Sequence, residues 1–170
     1  PPENNFNRKF IAGLAIVIIR KDLIQKRDDL PALMSYQTYA DSESMYNTPP
    51  TFAWYLSGKV FSWLKRNGGL KSIEEINLRK AKKLYDYIDN SDFYYNDVSI
   101  ESRSIMNVPF LLNDDSLNDS FLQDSEKEGL LNLAGHRSVG GMRASIYNAV
   151  PEEAIDALVS FMDVFANKYG

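Results

Sequence analysis

The stretch Arg103-Ser104-Ile105-Met106-Asn107-Val108-Pro109-Phe110-Leu111-Leu112 decides the fold class, because it interrupts a helical pattern with a period-two one. Ile105, Asn107 and Pro109 alternate with Met106, Val108 and Phe110 before the run into Leu111-Leu112, the spacing that sends successive side chains to opposite faces of a strand. Pro109 has no N–H to give to a ladder, so an edge strand is expected. Upstream, Thr48-Pro49-Pro50-Thr51 offers an N-cap and prolines suited to a first helical turn. Phe52, Tyr55, Leu56, Val60, Trp63 and Leu64 then recur at helical spacing until Gly68-Gly69. Trp54 and Trp63 read as helix packing. Ser72 with Glu75 forms a capping box for a second helix, whose apolar stripe is Ile76, Ala81, Leu84, Tyr85 and Ile88. Downstream, 118–130 is helical, while 131–133 and 142–147 are short strand candidates. Pro151 with Glu152-Glu153 opens a last helix carrying Ile155, Leu158, Val159, Met162, Phe165 and Tyr169. The order helix, helix, strand, helix, strand, strand, helix describes an α+β layer of helices on a small mixed sheet.

Ahead of this lies a different texture. Leu14-Ala15-Ile16-Val17-Ile18-Ile19, bounded by Gly13 and Arg20-Lys21-Asp22, reads as a buried strand over about 12–20. Such a strand needs neighbours to pair its backbone groups, so it is expected to be a remnant of a larger sheet whose other strands precede it. From Lys21 to Asn47 the periodicity dissolves into loop with one short helical turn.

Composition narrows the function classes. The 170 residues carry 19 Lys+Arg and 23 Asp+Glu, a net charge of −4, which argues against a basic nucleic-acid binder. At 44% hydrophobic and 12% aromatic the chain has material for a core rather than for disorder. With no cysteine and the single His136, a thiolate site, a cysteine nucleophile and a multi-histidine metal site are all excluded, and no metal is expected. The longest apolar run, 14–19, is far shorter than the roughly 20 residues of a membrane helix, so a soluble cytoplasmic protein without membrane or nucleic-acid partners is expected.

The segment Gly135-His136-Arg137-Ser138-Val139-Gly140-Gly141-Met142-Arg143-Ala144-Ser145-Ile146-Tyr147-Asn148 concentrates two arginines and the only histidine. Arg presents a planar fork that matches carboxylate and phosphate, and Gly140-Gly141 lets backbone and anion approach. On a strand, Arg143, Ser145 and Tyr147 share one face and Met142, Ala144 and Ile146 the other. An anion-gripping loop and strand is one reading; a surface loop with scattered charges is the other. Asn47-Thr48 before a helix could serve an anion but locally reads as a plain N-cap. Lys9, beside Arg8, is ordinarily solvated charge unless it is buried at a cofactor.

Four blocks together resemble the phosphoserine aminotransferase family: Asn47-Thr48-Pro49-Pro50-Thr51-Phe52-Ala53-Trp54-Tyr55-Leu56-Ser57-Gly58, Ile88-Asp89-Asn90-Ser91-Asp92-Phe93-Tyr94, the run 103–110, and 135–149. The strand-like run from Ala12 to Arg20 is similar as well. The resemblance covers about the C-terminal half of the family's chain. It implies the small domain of a fold type I, class V enzyme over 48–170, preceded over 1–47 by a remnant of the large α/β domain. It further implies pyridoxal phosphate as cofactor and amino transfer between glutamate and 3-phosphohydroxypyruvate in serine biosynthesis, with a second use in pyridoxine biosynthesis in part of the family. On the same resemblance, His136 and Arg137 take the substrate phosphate, Arg143 its α-carboxylate, and Asn47 and Thr48 the cofactor phosphate across a homodimer interface. Lys9 becomes the lysine that forms the Schiff base if two residues are missing between Ile11 and Ala12; without that gap Asn7 occupies the position. Ring-stacking and ring-nitrogen partners belong to the absent half, so the chain alone is expected to be inactive. The alternative is a stand-alone module that binds phospho-acids or a protein partner without catalysis.

Overall fold

The computed structural model describes residues 13–170. They fall into two compact units, one ending at Leu64 and one running from Lys65 to Gly170.

In the first unit, residues 14–19 form no strand, and Ile16, Val17 and Ile18 are 63%, 57% and 96% exposed. The expected buried strand over 12–20 is therefore corrected, its first residue lying outside the described part. A β-branched run becomes a strand only where another backbone meets its N–H and C=O groups, and no described residue does so. Residues 21–47 are loop with short 3-10 turns at Lys21–Leu23 and Ala32–Met34 and one helix, α1 (Tyr36–Asp41). Helix α2 (Thr51–Arg66) follows. Its first backbone bond runs from the Trp54 N–H to Pro50 O at 3.0 Å. The prolines thus precede the helix instead of forming its first turn, since the residue before a proline is pushed out of helical geometry, and Thr48 is not its cap. Trp54 remains 40% exposed.

In the second unit, α3 (Gly69–Asp89) begins ahead of the expected capping box at Ser72. Gly68 adopts a left-handed φ of 88° and caps with no side chain, and a Cβ there would meet Ser72 Cβ at 2.7 Å. The glycine that ends one helix starts the next directly, leaving Ser72 no capping position. Its buried residues are Ile73, Asn77, Lys80, Ala81, Leu84, Tyr85 and Ile88, with Ile76 half-buried. After α3 come β1 (Tyr94–Tyr95), β2 (Asn107–Leu112), α4 (Asn118–Lys127), β3 (Met142–Ser145) and α5 (Glu152–Tyr169).

The strands form one sheet in the order β1-β2-β3 with both ladders antiparallel. The sheet is antiparallel rather than mixed, even though the connection from β2 to β3 carries α4. Nor is β2 an edge: it lies between the others. Pro109 is tolerated at the centre because Arg143, which faces it, sends its own N–H to Leu133 O at 2.7 Å, away from β2. Pro109 therefore sits in a non-hydrogen-bonded pair with β3. Its missing N–H points to the other side, where β1 reaches only Leu111 and Leu112, and there the Asn96 amide donates to Pro109 O. The 131–133 candidate forms no strand; an isolated bridge from Ala134 to Met142 lies just beyond it.

One face of the sheet, Val108, Phe110, Leu112, Met142 and Ala144, is buried against Leu84, Ile88, Phe121, Ile155, Leu158, Met162 and Phe165. Phe121 packs edge-on to Tyr94, Phe110, Phe161 and Phe165 with ring centroids 5.1 to 6.0 Å apart. These rings exclude water from the core side, and the opposite face keeps the half-buried Asn107, Pro109, Leu111, Arg143 and Ser145.

Candidate active site

The polar face of the sheet carries the site, and the segment before β3 shapes it. The Gly135 N–H donates to Gly141 O at 2.8 Å, and the Val139 and Gly140 N–H groups both donate to His136 O, at 2.9 and 2.8 Å. Residues 136–140 thus form a tight turn closed at its base. A Cβ on Gly135 would stand 2.0 Å from Gly140 O, and one on Gly141 would strike Leu111 Cδ2 at 2.5 Å with φ already at +58°. Both positions admit glycine alone, which lets the turn lie directly over β2.

His136 and Arg137 are exposed on this turn, and Arg143 is half-buried on the strand it feeds. The structure therefore brings these three onto one hairpin. Arg20, Arg27, Arg79 and Arg103 each lie on a carboxylate, and Arg66 ends α2, where a cation meets the negative pole of the helix. Arg137 and Arg143 have no carboxylate among the described residues, and the buried Nε of Arg143 has no partner. A buried donor without an acceptor costs roughly 1–3 kcal/mol, a cost that an incoming carboxylate or phosphate would remove.

Beside Arg143 the same face holds a polar group that spacing alone does not reveal. The Asn107 amide donates to the Tyr147 hydroxyl at 3.1 Å, and the Ser145 hydroxyl donates to Asn107 Oδ1 at 3.4 Å. Its signal in the sequence is the shared face of Arg143, Ser145 and Tyr147, which lacks only the register that sets Asn107 opposite Ser145. Lys80 escapes the sequence pattern too. Fully buried, its ammonium donates to Ile146, Tyr147 and Val150 carbonyls at 3.1, 2.9 and 2.9 Å, and the Asn77 amide donates to Asn148 Oδ1 at 2.7 Å. Together these tie the end of β3 to α3. The spacing of Lys80 four residues after Ile76 and four before Leu84 is the one sign of it. Burial pushes the Lys80 ammonium below the usual lysine range, with Glu152 opposing the shift.

Asn47 and Thr48 lie in the first unit, both exposed and with no side-chain hydrogen bond to a described residue. Their free amide and hydroxyl suit a phosphate oxygen. Lys9 lies outside the described residues.

Known proteins resemble this chain over most of its described length. A phosphoserine aminotransferase of Acinetobacter baylyi is 60% identical over 160 residues, 94% of this chain and 45% of the relative. One from Hahella chejuensis is 58% identical, covering 92% and 44%. Among solved structures, phosphoserine aminotransferase from Bacillus circulans subsp. alkalophilus superposes with a TM-score of 0.85 at 45% identity, over 89% of this chain and 43% of that one. A PLP-bound phosphoserine aminotransferase from Trichomonas vaginalis gives 0.74 at 41% identity, over 81% and 39%. The chain thus spans less than half the length of these relatives. The aminotransferase class-V family model matches residues 11–158, and on that match the chain belongs to the class-V aminotransferase family.

Proposed function

We propose that this chain is the C-terminal part of a pyridoxal-phosphate-dependent phosphoserine aminotransferase, which moves an amino group between glutamate and 3-phosphohydroxypyruvate in serine biosynthesis. The carrying observation is the hairpin on which Arg137 and Arg143 stand without a counter-charge among the described residues; the relatives' names supply the reaction. When bound, pyridoxal phosphate supplies the electron sink for amino transfer. His136 and Arg137 bind the substrate phosphate, and Arg143 holds the α-carboxylate in its planar fork. Gripping both ends of a short phospho-acid fixes its α-carbon in one place.

Asn47 and Thr48 would hold the cofactor phosphate, from across the interface of a homodimer, and Lys9 is the proposed cofactor-bearing lysine. Residues 1–47 then belong to the large domain and 48–170 to the interdomain helix and small domain. On this reading the 170 residues alone are inactive, the whole enzyme is cytoplasmic, and it also serves pyridoxine biosynthesis. No helix among the described residues is long and apolar enough to cross a membrane.

The test is His136→Ala in the full-length enzyme, with kcat/KM measured for phosphorylated and unphosphorylated amino donors. A hydrogen bond to a charged group is worth about 1.5–3 kcal/mol, so the phosphorylated donor should lose about ten- to a hundredfold more. Equal losses for both would remove the phosphate-reading role.

A further inference from the structure

We propose that Ser138 is a positioning residue that holds His136 in the tautomer with its proton on Nε2, so that the ring offers a ready donor to an anion. The inference rests on the reading of His136 as a phosphate-binding group and names what sets its donor.

Nδ1 of His136 lies 2.7 Å from Ser138 Oγ and 3.3 Å from the Ser138 backbone nitrogen. A backbone N–H can only donate. The ring nitrogen facing it must therefore present a lone pair, and the hydroxyl, free to rotate, donates to the same atom. Neutral imidazole carries one proton, so it falls on Nε2. The direction of the Ser138 N–H is not adjustable, since the turn is fixed by the bonds from Val139 and Gly140 to His136 O and by the closure between Gly135 and Gly141. His136 is exposed, and Nε2 has no hydrogen-bond partner among the described residues.

An anionic oxygen is an acceptor, so it matches Nε2–H and is repelled by the lone pair that the other tautomer would place there. Without Ser138 Oγ the ring would keep only the longer backbone contact and would populate both tautomers. The fraction able to donate, and the apparent affinity for an anion, would fall together.

Imidazole nitrogen NMR on the histidine-labelled full-length enzyme reads His136 as the ring signals that His136→Ala removes. At a pH where the ring is neutral, the Nε2–H tautomer should dominate. In Ser138→Ala its ratio to the other tautomer should fall about fivefold, the change expected from one neutral hydrogen bond, and Ser138→Thr should restore it. Inorganic phosphate titrated into the same samples should bind more weakly to Ser138→Ala, by up to the same factor, and normally to Ser138→Thr. Each variant's far-ultraviolet spectrum and melting curve should match the parent's. An Nδ1–H ring in the parent, or an unchanged ratio in Ser138→Ala, would overturn the positioning role whatever phosphate does. A changed ratio with no response of His136 to phosphate in any variant would instead sink the phosphate reading on which the role depends.

Discussion

Arg103 and Arg143 lie on either side of the same strand in sequence and live in opposite electrostatic states. Arg103 reaches both oxygens of Asp89, at 2.6 and 2.8 Å, lies 4.6 Å over the Tyr85 ring, and leaves 14% of its side chain exposed. The carboxylate beside it raises its already high pKa, and its third contact is Val98 O at 3.2 Å. Arg143 has no carboxylate among the described residues and keeps a buried Nε unpaired. A cation supplied with its partner inside the fold contributes to holding the fold. One left without a partner costs the fold something, and that cost is recovered when a ligand brings the missing charge.

The largest expected effect tests the second half of that contrast. In the full-length enzyme, Arg143→Ala should lower kcat/KM for phosphoserine by about 2–5 kcal/mol, roughly thirty- to several-thousandfold, because a desolvated charge pair loses one member. The same substitution should leave the melting temperature unchanged or slightly raised, since the orphaned donor disappears with the side chain. A preserved specificity constant, or a large loss of stability with activity per folded molecule unchanged, would make Arg143 a structural cation like Arg103.

Much of the molecule around these two arginines is legible in the amino-acid sequence. Periodicity places α2, α3, α4 and α5 close to their observed bounds, because a helix stripe is a local property of the chain. The faces of β3 are as the alternation predicts, with Met142 and Ala144 buried and Arg143 and Ser145 half-buried. The features that local pattern misjudges depend on distant partners. Residues 14–19 have strand composition but nothing described to pair with, and Pro109 reads as an edge residue, although the register turns its nitrogen past the end of β1. His136, Arg137 and Arg143 stand out by residue type alone, whereas Ser138, Asn107 and Lys80 act through contacts that spacing does not encode. The absence of a described carboxylate near Arg143 is a three-dimensional fact of the same kind.

A smaller effect tests the first half. Arg103→Ala should cost about 1–2 kcal/mol of folding stability, at the lower end of what a charged hydrogen-bonded pair contributes, because the Asp89 side chain is 40% exposed and water screens it. Denaturant unfolding would read it. Substrate specificity should be untouched, and a selective loss of phosphoserine turnover with normal stability would place Arg103 in the site and dissolve the distinction.

The smallest effect asks whether lacking a carboxylate is enough to mark a cation as functional. Lys80 is the critical case, since it touches no carboxylate among the described residues but gives its ammonium to three backbone carbonyls and so leaves no donor orphaned. By the criterion of satisfaction it is structural; by that of counter-charge it resembles Arg143. Its folded pKa is depressed by burial, with Glu152 partly opposing, so between that value and the ordinary lysine value the unfolded chain binds more protons than the folded one. Stability conferred through this group must then rise with pH across that window and level off above it. Melting curves of the parent and of Lys80→Met, recorded from neutral to alkaline pH, isolate the effect, because tyrosines and other lysines titrate in both. The parent should gain on the variant as pH rises. A constant difference would mean that the carbonyls compensate the charge fully, and a falling one that they more than compensate it. Either would show that backbone dipoles, with the distant Glu152 charge, can stand in for a contacting carboxylate, and the mark of the anion site would then be the unsatisfied donor on Arg143 rather than its missing carboxylate.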